Sequence, residues 1–237
     1  MADTAAPKEL NDNSILIFRT LKNEILNLTI PPGTVISENE ICERFSVSRT
    51  PVRTAFQRLS DAKLIKNIPY RETTVTRINL NHIRQIIYMR IAIESKVIRD
   101  FIDQYDPFAI EKIRYGIRKQ LVLLGTEFTP PEFYTEDSSF HRIWFRATDK
   151  ELLWRKIQHA QVHYTRFRML DIVEARKFSA IEKEHEQLFS IIQKKDKDGV
   201  EPFMTKHLNG GIQRLGKRIY REFSDYFEDT GPDFMQS

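Results

Sequence analysis

Apolar side chains recur at helical spacing along most of this 237-residue chain. Near the N-terminus, Ile15, Phe18, Leu21 and Ile25 follow one another every three or four residues, which predicts a helix that ends before Pro31. From residue 81 onward the same spacing fills long amphipathic segments. We predict helices there near residues 81–104, 107–124, 131–147, 150–170, 178–194 and 197–226. The pattern therefore predicts a mainly α-helical protein.

Between these two regions the predicted helices are shorter and are followed by short strands. Ser37 and Glu40 form a capping-box sequence that begins a short helix, and Ser48 is a suitable N-cap for the next helix, with Pro51 in its first turn. Two short strands follow at 64–67 and 73–77, joined by a polar tip. This order predicts a winged helix-turn-helix followed by an all-helical antiparallel bundle. The predicted parts are a flexible tail at 1–13, the winged helix at 14–77, a linker at 78–80, the helical domain at 81–227 and a second flexible tail at 228–237.

The helix that begins after Ser48 has two distinct faces. Val52, Phe56 and Leu59 form an apolar stripe, while Thr50 and Arg53 lie on the opposite side. Arginine side chains at the start of a helix are unfavourable, because the helix dipole places a partial positive charge there. Their presence suggests a function that outweighs this cost. The recognition helix of a winged helix-turn-helix presents its N-terminal residues to the DNA major groove, where phosphates and guanine edges attract arginine. The alternative is an ordinary solvated helix face.

The run IPPGTVISENEICERFSVSRTPVRTAFQRLSDAKLI closely resembles the DNA-binding domain of the GntR family of bacterial transcription regulators. The PG turn, the SRTPVR helix start and the L-x4-LI exit carry the resemblance. It implies that Ser48, Arg49, Thr50 and Arg53 contact DNA, with Asn39 as a weaker candidate. Two positions depart from the family pattern. Ser46 replaces a glycine in the turn between helices, which predicts a strained turn, and the wing tip lacks a glycine, so that Arg71 would supply its contact to DNA.

Four polar residues lie in the inward stripes of three predicted helices: Asp137, His141, His185 and His207. A single buried histidine is most often a core residue with a hydrogen-bond partner. Three histidines and a carboxylate on facing helices can instead bind one divalent cation and leave coordination positions open. His159 and His163 form another pair four residues apart, but the apolar stripe of their helix predicts a solvated face.

The spacing D-x3-H, then EH, then a further histidine resembles the FCD effector domain, which accompanies this winged helix in the FadR-type branch of the GntR family. The resemblance implies a metal site at Asp137, His141, His185 and His207. Zinc is the expected ion, with nickel or manganese as alternatives, and an organic acid is expected to bind nearby. The six predicted helices favour the VanR-like subgroup over the subgroup with seven.

Arg90 lies beside an apolar stripe of the first long helix, so its guanidinium needs an anion. One candidate is Glu94, one turn further on. The other is the carboxylate of a ligand, which a planar guanidinium can bind through two parallel hydrogen bonds.

Composition narrows the class of protein. A net charge of +4 is compatible with DNA binding, and a single cysteine excludes a disulfide framework. Without a signal-like or membrane-spanning run, we expect a cytoplasmic protein that is not an enzyme: a homodimeric transcription regulator, most simply a repressor, that binds a palindromic double-stranded DNA operator and a small carboxylate effector. The alternatives are a metal-dependent hydrolase, for which no HExxH motif or nucleophile elbow is present, and a metal sensor without an organic effector.

Overall fold

The structure, a computed structural model, describes the backbone of residues 6–67 and 72–228 and the side chains of residues 13–67 and 72–228. Its internal contacts divide the chain into two compact units. The first contains the described residues up to Leu80 together with those from Ile219 onward, and the second is Asn81–Arg218. The sequence-based division instead assigns 219–227 to the helical domain.

The first unit combines three helices with a small sheet. The helices are α1 (Ala6–Leu26), α2 (Glu38–Phe45) and α3 (Arg49–Asp61), and the strands are β1 (Val35–Ile36), β2 (Ile65–Asn67) and β3 (Thr73–Val75). The sheet is antiparallel with the order β1-β3-β2, and Lys66 and Val35 flank Thr74 on its two sides. The sequence predicts only β2 and β3, because β1 has two residues and no alternating pattern.

Helices α1 and α3 supply the core of this unit. Ile17, Leu21 and Ile25 are fully buried on α1, and Val52 and Leu59 are fully buried on α3. Helix α1 packs against α3. The predicted stripe of α3 is buried, and of the predicted stripe of α1 Leu21 and Ile25 are buried while Ile15 and Phe18 are half-buried; Ile17 was not predicted.

The turn between α2 and α3 has the predicted strain. Ser46 ends α2 in the left-handed conformation, with φ 52° and ψ 46°, where a glycine would meet no steric cost. The Ser37 hydroxyl caps α2 by accepting a hydrogen bond from the Asn39 N–H at 3.2 Å.

The C-terminal segment joins the first unit through backbone hydrogen bonds. It contains α11 (Arg218–Arg221) and a 3-10 helix (Ser224–Tyr226). The Ile78 N–H donates to the Tyr226 carbonyl at 2.8 Å, and the Glu228 N–H donates to the Ile78 carbonyl at 3.0 Å. Ile219 and Phe227 are buried. These contacts hold residues 219–228 in the first unit.

Seven helices run from Leu80 to Leu215, where the sequence predicts six segments that extend to 226. They are α4 (Leu80–Gln104), α5 (Pro107–Leu124), α6 (Pro130–Ala147), α7 (Glu151–Ala160), α8 (Val162–Ala175), α9 (Phe178–Gln193) and α10 (Lys197–Leu215).

Two of the predicted helices are wrong in extent. Residues 150–170 form two helices because Gln161, with φ −93° and ψ 27°, leaves the helical conformation, and α10 ends at Gly216, whose φ is +48°. The count of six therefore no longer supports the VanR-like subgroup.

Helix α8 is the centre of the second unit. It packs against α6 and α10, while α5 packs against α6 and α9. Between His163 and Ile172 every residue of α8 except Thr165 is buried. A helix that is buried all round must pair its polar side chains internally. None of the helices in the described residues is both long and apolar enough to cross a bilayer.

Candidate metal and effector site and candidate DNA-binding surface

Three histidines from three helices meet inside the second unit. His141 lies on α6, His185 on α9 and His207 on α10, and all three are buried. Each offers one ring nitrogen to a cluster in which all the nitrogen atoms lie within 4.8 Å of one another. The Nε2 atoms of His141 and His207 are only 3.2 Å apart. The structure thus brings together three of the four residues predicted as metal ligands.

The opposite nitrogen of each ring is held by an oxygen acceptor. The Nδ1 atoms of His141, His185 and His207 lie 2.7 Å from oxygens of Glu94, Gln120 and Glu184, respectively. In a neutral imidazole the nitrogen that faces an acceptor carries the proton, so the lone pairs lie on the Nε2 atoms and point into the cluster. Hydrogen bonds of this kind orient histidines that bind metals.

The Nε2 atoms of His141 and His207 face each other, and the third Nε2 atom faces no hydrogen-bond partner in the described part of the chain. His185 Nε2 has no hydrogen bond among the described residues. The short separation between the Nε2 atoms of His141 and His207 brings two lone pairs together, which is unfavourable unless a cation lies between them. Burial lowers the pKa of His185 and of His207, so both rings stay neutral, which is the form that binds metal ions. The donor set therefore fits a divalent ion such as zinc.

Asp137, the fourth predicted ligand, lies at the edge of the cluster. Its Oδ1 is 3.6 Å from His185 Nε2 and 3.4 Å from Arg168 Nη2. Burial would raise the pKa of Asp137, but Arg168 and the surrounding histidines lower it below its usual range. An ionised carboxylate thus stands next to the imidazole nitrogens.

Arg90 has both an internal partner and free donors. Its Nε donates to Glu94 Oε1 at 2.5 Å, and the other oxygen of Glu94 accepts from His141, which makes a chain Arg90–Glu94–His141. Burial opposes the charge of Glu94, yet Arg90 and His141 lower its pKa to about 2. The two terminal nitrogens of Arg90 have no acceptor among the described residues, and its guanidinium carbon lies 5.0 Å from the centre of the Tyr164 ring.

A small cavity lies between this arginine and the histidines. Arg90, His141, His207, Phe167, Arg168 and Arg214 contribute to its wall. Arg168 and Arg214 are both held by Asp171, Arg168 through one bond of 2.5 Å and Arg214 through two bonds of 2.9 and 2.7 Å. Guanidinium groups on several sides favour an anion in the cavity.

Sequence reasoning missed several of these residues. Gln120 lies in line with Ile113 and Ile117 on the buried face of α5. The only feature of the sequence that could have identified it is the presence of a polar residue in an apolar stripe. Arg168 and Asp171 are three residues apart, which suggests an ion pair but not its place beside the cluster. Glu184, which precedes His185 in the sequence, contacts Nδ1 of His207 and so lies on the side of that ring away from the cluster.

His159 is exposed on α7, as predicted. His163 is buried instead of solvated, because the kink at Gln161 turns the start of α8 into the core, where His163 contacts Arg166 and His82.

On the first unit, the predicted DNA-contacting side chains share one exposed surface around the start of α3. Ser48, Arg49, Thr50 and Arg53 are exposed there, and so is Asn39 on α2. Ser48 is the N-cap residue of α3, although its side chain makes no capping hydrogen bond. Arg71 lies outside the described residues.

Comparisons with known proteins identify the class. Residues 16–75 match the bacterial regulatory proteins of the gntR family, and residues 85–210 match the FCD domain. The chain belongs to the GntR family of transcription regulators, in the branch that carries an FCD effector domain.

Particular relatives agree with this assignment. The HTH-type transcriptional repressor RspR of Escherichia coli K12 is 30% identical over 213 residues, which are 90% of this chain and 92% of the relative. The gluconate operon transcriptional repressor of Bacillus subtilis is 27% identical, over 75% of this chain and 74% of the relative. The structure of E. coli McbR/YncC has a similar fold, with a TM-score of 0.65 and 17% identity over 89% of this chain and 98% of that one. The family is one of transcription regulators, and RspR and the gluconate operon repressor are named as repressors and not as enzymes, so the hydrolase alternative is rejected.

Proposed function

We propose that this regulator is a repressor that binds a palindromic operator as a dimer and senses a small organic acid at a divalent metal site. His141, His185, His207 and Asp137 would hold the ion, with zinc first and nickel or manganese as alternatives. When bound, the ion would supply a Lewis-acidic positive charge that attracts a carboxylate. The observation that carries the proposal is the convergence of three Nε2 lone pairs, each fixed from behind by an acceptor on Nδ1.

Arg90 is the proposed sensor of the acid. Its only hydrogen bond among the described residues uses Nε, and Arg90 lines the cavity, so its terminal nitrogens would be available to a carboxylate in two parallel hydrogen bonds. Glu94 links Arg90 to His141, so an anion on Arg90 alters the charge balance behind a metal ligand. Effector and metal should therefore affect each other's affinity reciprocally.

Two helices of the site continue directly into the DNA-binding unit. Helix α4, which carries Arg90, begins at Leu80, where the first unit ends. Helix α10, which carries His207 and Arg214, leads through Gly216 to the segment from Ile219 that belongs to the first unit. An effector that prefers one arrangement of these helices would shift the population of DNA-binding states by its differential affinity for them.

The test is a DNA-binding titration of metal-loaded protein with a panel of small mono- and dicarboxylic acids. Arg90→Lys is the decisive variant, because Arg90→Ala removes the cation that is paired with the buried Glu94 and threatens the fold. Lysine keeps the charge but loses the fork, so the same change in DNA affinity should need about tenfold to hundredfold more acid.

Arg99→Lys on the same helix is the matched control, since Arg99 pairs with Glu201 and does not border the cavity. An acid that acts equally on wild type and Arg90→Lys at equal metal content would contradict the sensor role. A change in DNA binding with metal alone, and with no acid in the panel, would favour the metal sensor.

A further inference from the structure

The arginine predicted to read DNA bases already has an anionic partner within its own unit. Arg53 Nε donates to the two carboxylate oxygens of Glu38 at 3.0 and 3.3 Å. Glu38 is the first residue of α2, where the helix dipole favours a negative charge. Arg49, by contrast, donates to a neutral acceptor, Asn39 Oδ1, at 3.1 Å. The two arginines at the start of α3 are therefore held in different ways.

We infer that Glu38 is a specificity-determining residue, which competes with DNA phosphates for Arg53 and so suppresses binding to the wrong sequence. This inference rests on the proposed DNA-reading role of α3. A negative charge beside Arg53 is a repulsive element against generic DNA, and unfavourable contacts with the wrong partner are one of the two ways in which an interface gains specificity.

The exposure of the pair makes the competition reversible. The side chains of Arg53 and Glu38 are 64% and 33% exposed, and exposed ion pairs are weak. A guanine edge offers Arg53 two directed hydrogen bonds, whereas a phosphate offers an attraction that every sequence shares. Only the matching sequence should therefore draw Arg53 away from Glu38. On other sequences the ion pair persists, and the carboxylate repels the phosphate backbone.

Helix α2 offers a matched control. Glu43 is exposed on the same helix, and its carboxylate makes no ion pair with Arg53. Glu38→Gln and Glu43→Gln change the net charge of the protein equally, so they separate the local competition from a general electrostatic effect.

The experiment measures affinity for two duplexes over a range of salt concentrations. One is a duplex selected by the wild-type protein from a random library, and the other is a scrambled duplex of the same composition. With Glu38→Gln, affinity for the scrambled duplex should rise about fivefold to tenfold at about 0.1 M salt, and its salt slope should steepen by about 0.9, because Arg53 gains a phosphate contact. The salt slope for the selected duplex should stay unchanged, since Arg53 already contacts DNA there. Glu38→Ala should behave in the same way as Glu38→Gln, and thermal melting should verify that each variant is folded.

Equal effects of Glu38→Gln and Glu43→Gln on both duplexes would overturn the inference. Arg53→Ala separates this failure from a failure of the proposed function. If Arg53→Ala weakens binding to the selected duplex but Glu38→Gln leaves the salt dependence of the affinity for both duplexes unchanged, only the role of Glu38 is wrong. If Arg53→Ala leaves binding unchanged, the assignment of α3 to DNA fails, and the inference fails with it.

Discussion

Single residues at the histidine cluster are held by hydrogen bonds on one side of the ring and face one another on the other. His207 approaches His141 through Nε2 and is held by Glu184 through Nδ1, so both of its nitrogens are committed. Acceptors on α4, α5 and α9 hold the three rings by Nδ1, which leaves the Nε2 atoms facing the cluster. The proposed metal site would need this orientation.

Replacing His207 should therefore show whether the cluster binds metal or only fills the core. His207→Ala removes one of the three imidazoles, so the protein should lose bound metal and the thermal stabilisation by added Zn²⁺. For comparison, a ligand at about 100 times its Kd stabilises a native state by about 2.7 kcal/mol. Elemental analysis of purified protein and melting curves with and without Zn²⁺ measure both effects.

His159→Ala is the control, because His159 is exposed on α7. If wild type and His207→Ala contained the same amount of metal, the cluster would be a buried polar network and not a metal site.

The same histidines predict a pH dependence for the metal-free protein. Burial lowers the pKa of His185 and His207 from the usual 6.5, so the folded state resists protonation that the unfolded state accepts. Unfolding then takes up protons as the pH falls below about 6.5, and stability should fall with it. Above that pH these histidines should not make the free energy of unfolding depend on pH.

Urea unfolding of the metal-free protein at a series of pH values measures this dependence. His159→Ala should keep the same slope. Stability that rises as the pH falls below 6.5 would show that the buried rings are charged in the folded state.

At the scale of elements, the sequence predicts well which side chains of a helix face inward. It predicts poorly which side chains of other helices they contact. The apolar stripe of α3 and the inward positions of His141, His185 and His207 follow from helical spacing alone. Arg214 is 43 residues from Asp171 in sequence, and His185 is 65 residues from Gln120. No local pattern encodes such a pair, because it arises only when the helices pack.

Element boundaries show the same limit. Gln161 carries neither the ring of proline nor the freedom of glycine, so nothing in its identity predicts the break between α7 and α8. Gly216 is different, since a glycine after Leu215 is a recognisable helix end, and the predicted helix at 197–226 ran past it. The two-residue strand β1 is likewise too short to leave a periodic signal.

At the scale of the whole molecule, the chain passes twice between its two units, at Leu80 and again at Arg218. Two linked DNA-binding surfaces bind more tightly than one does, provided that the geometry lets both engage at the same time. The proposed dimer supplies that condition, because a two-fold protein matches a palindromic operator whose half-sites are about one or two helical turns apart.

The spacing of half-sites therefore gives the last prediction. Inserting about half a helical turn, roughly 5 bp, between the half-sites of a selected operator rotates one half-site to the opposite face of the DNA, so binding should fall to the level of a single half-site. Inserting a full turn, about 10 bp, restores the face and should recover part of the affinity. Mobility shifts on the three duplexes, with mass measurement of the complexes, test this directly. Equal binding to all three, or one chain per duplex, would contradict the dimer, while Arg53→Ala should weaken every complex in proportion.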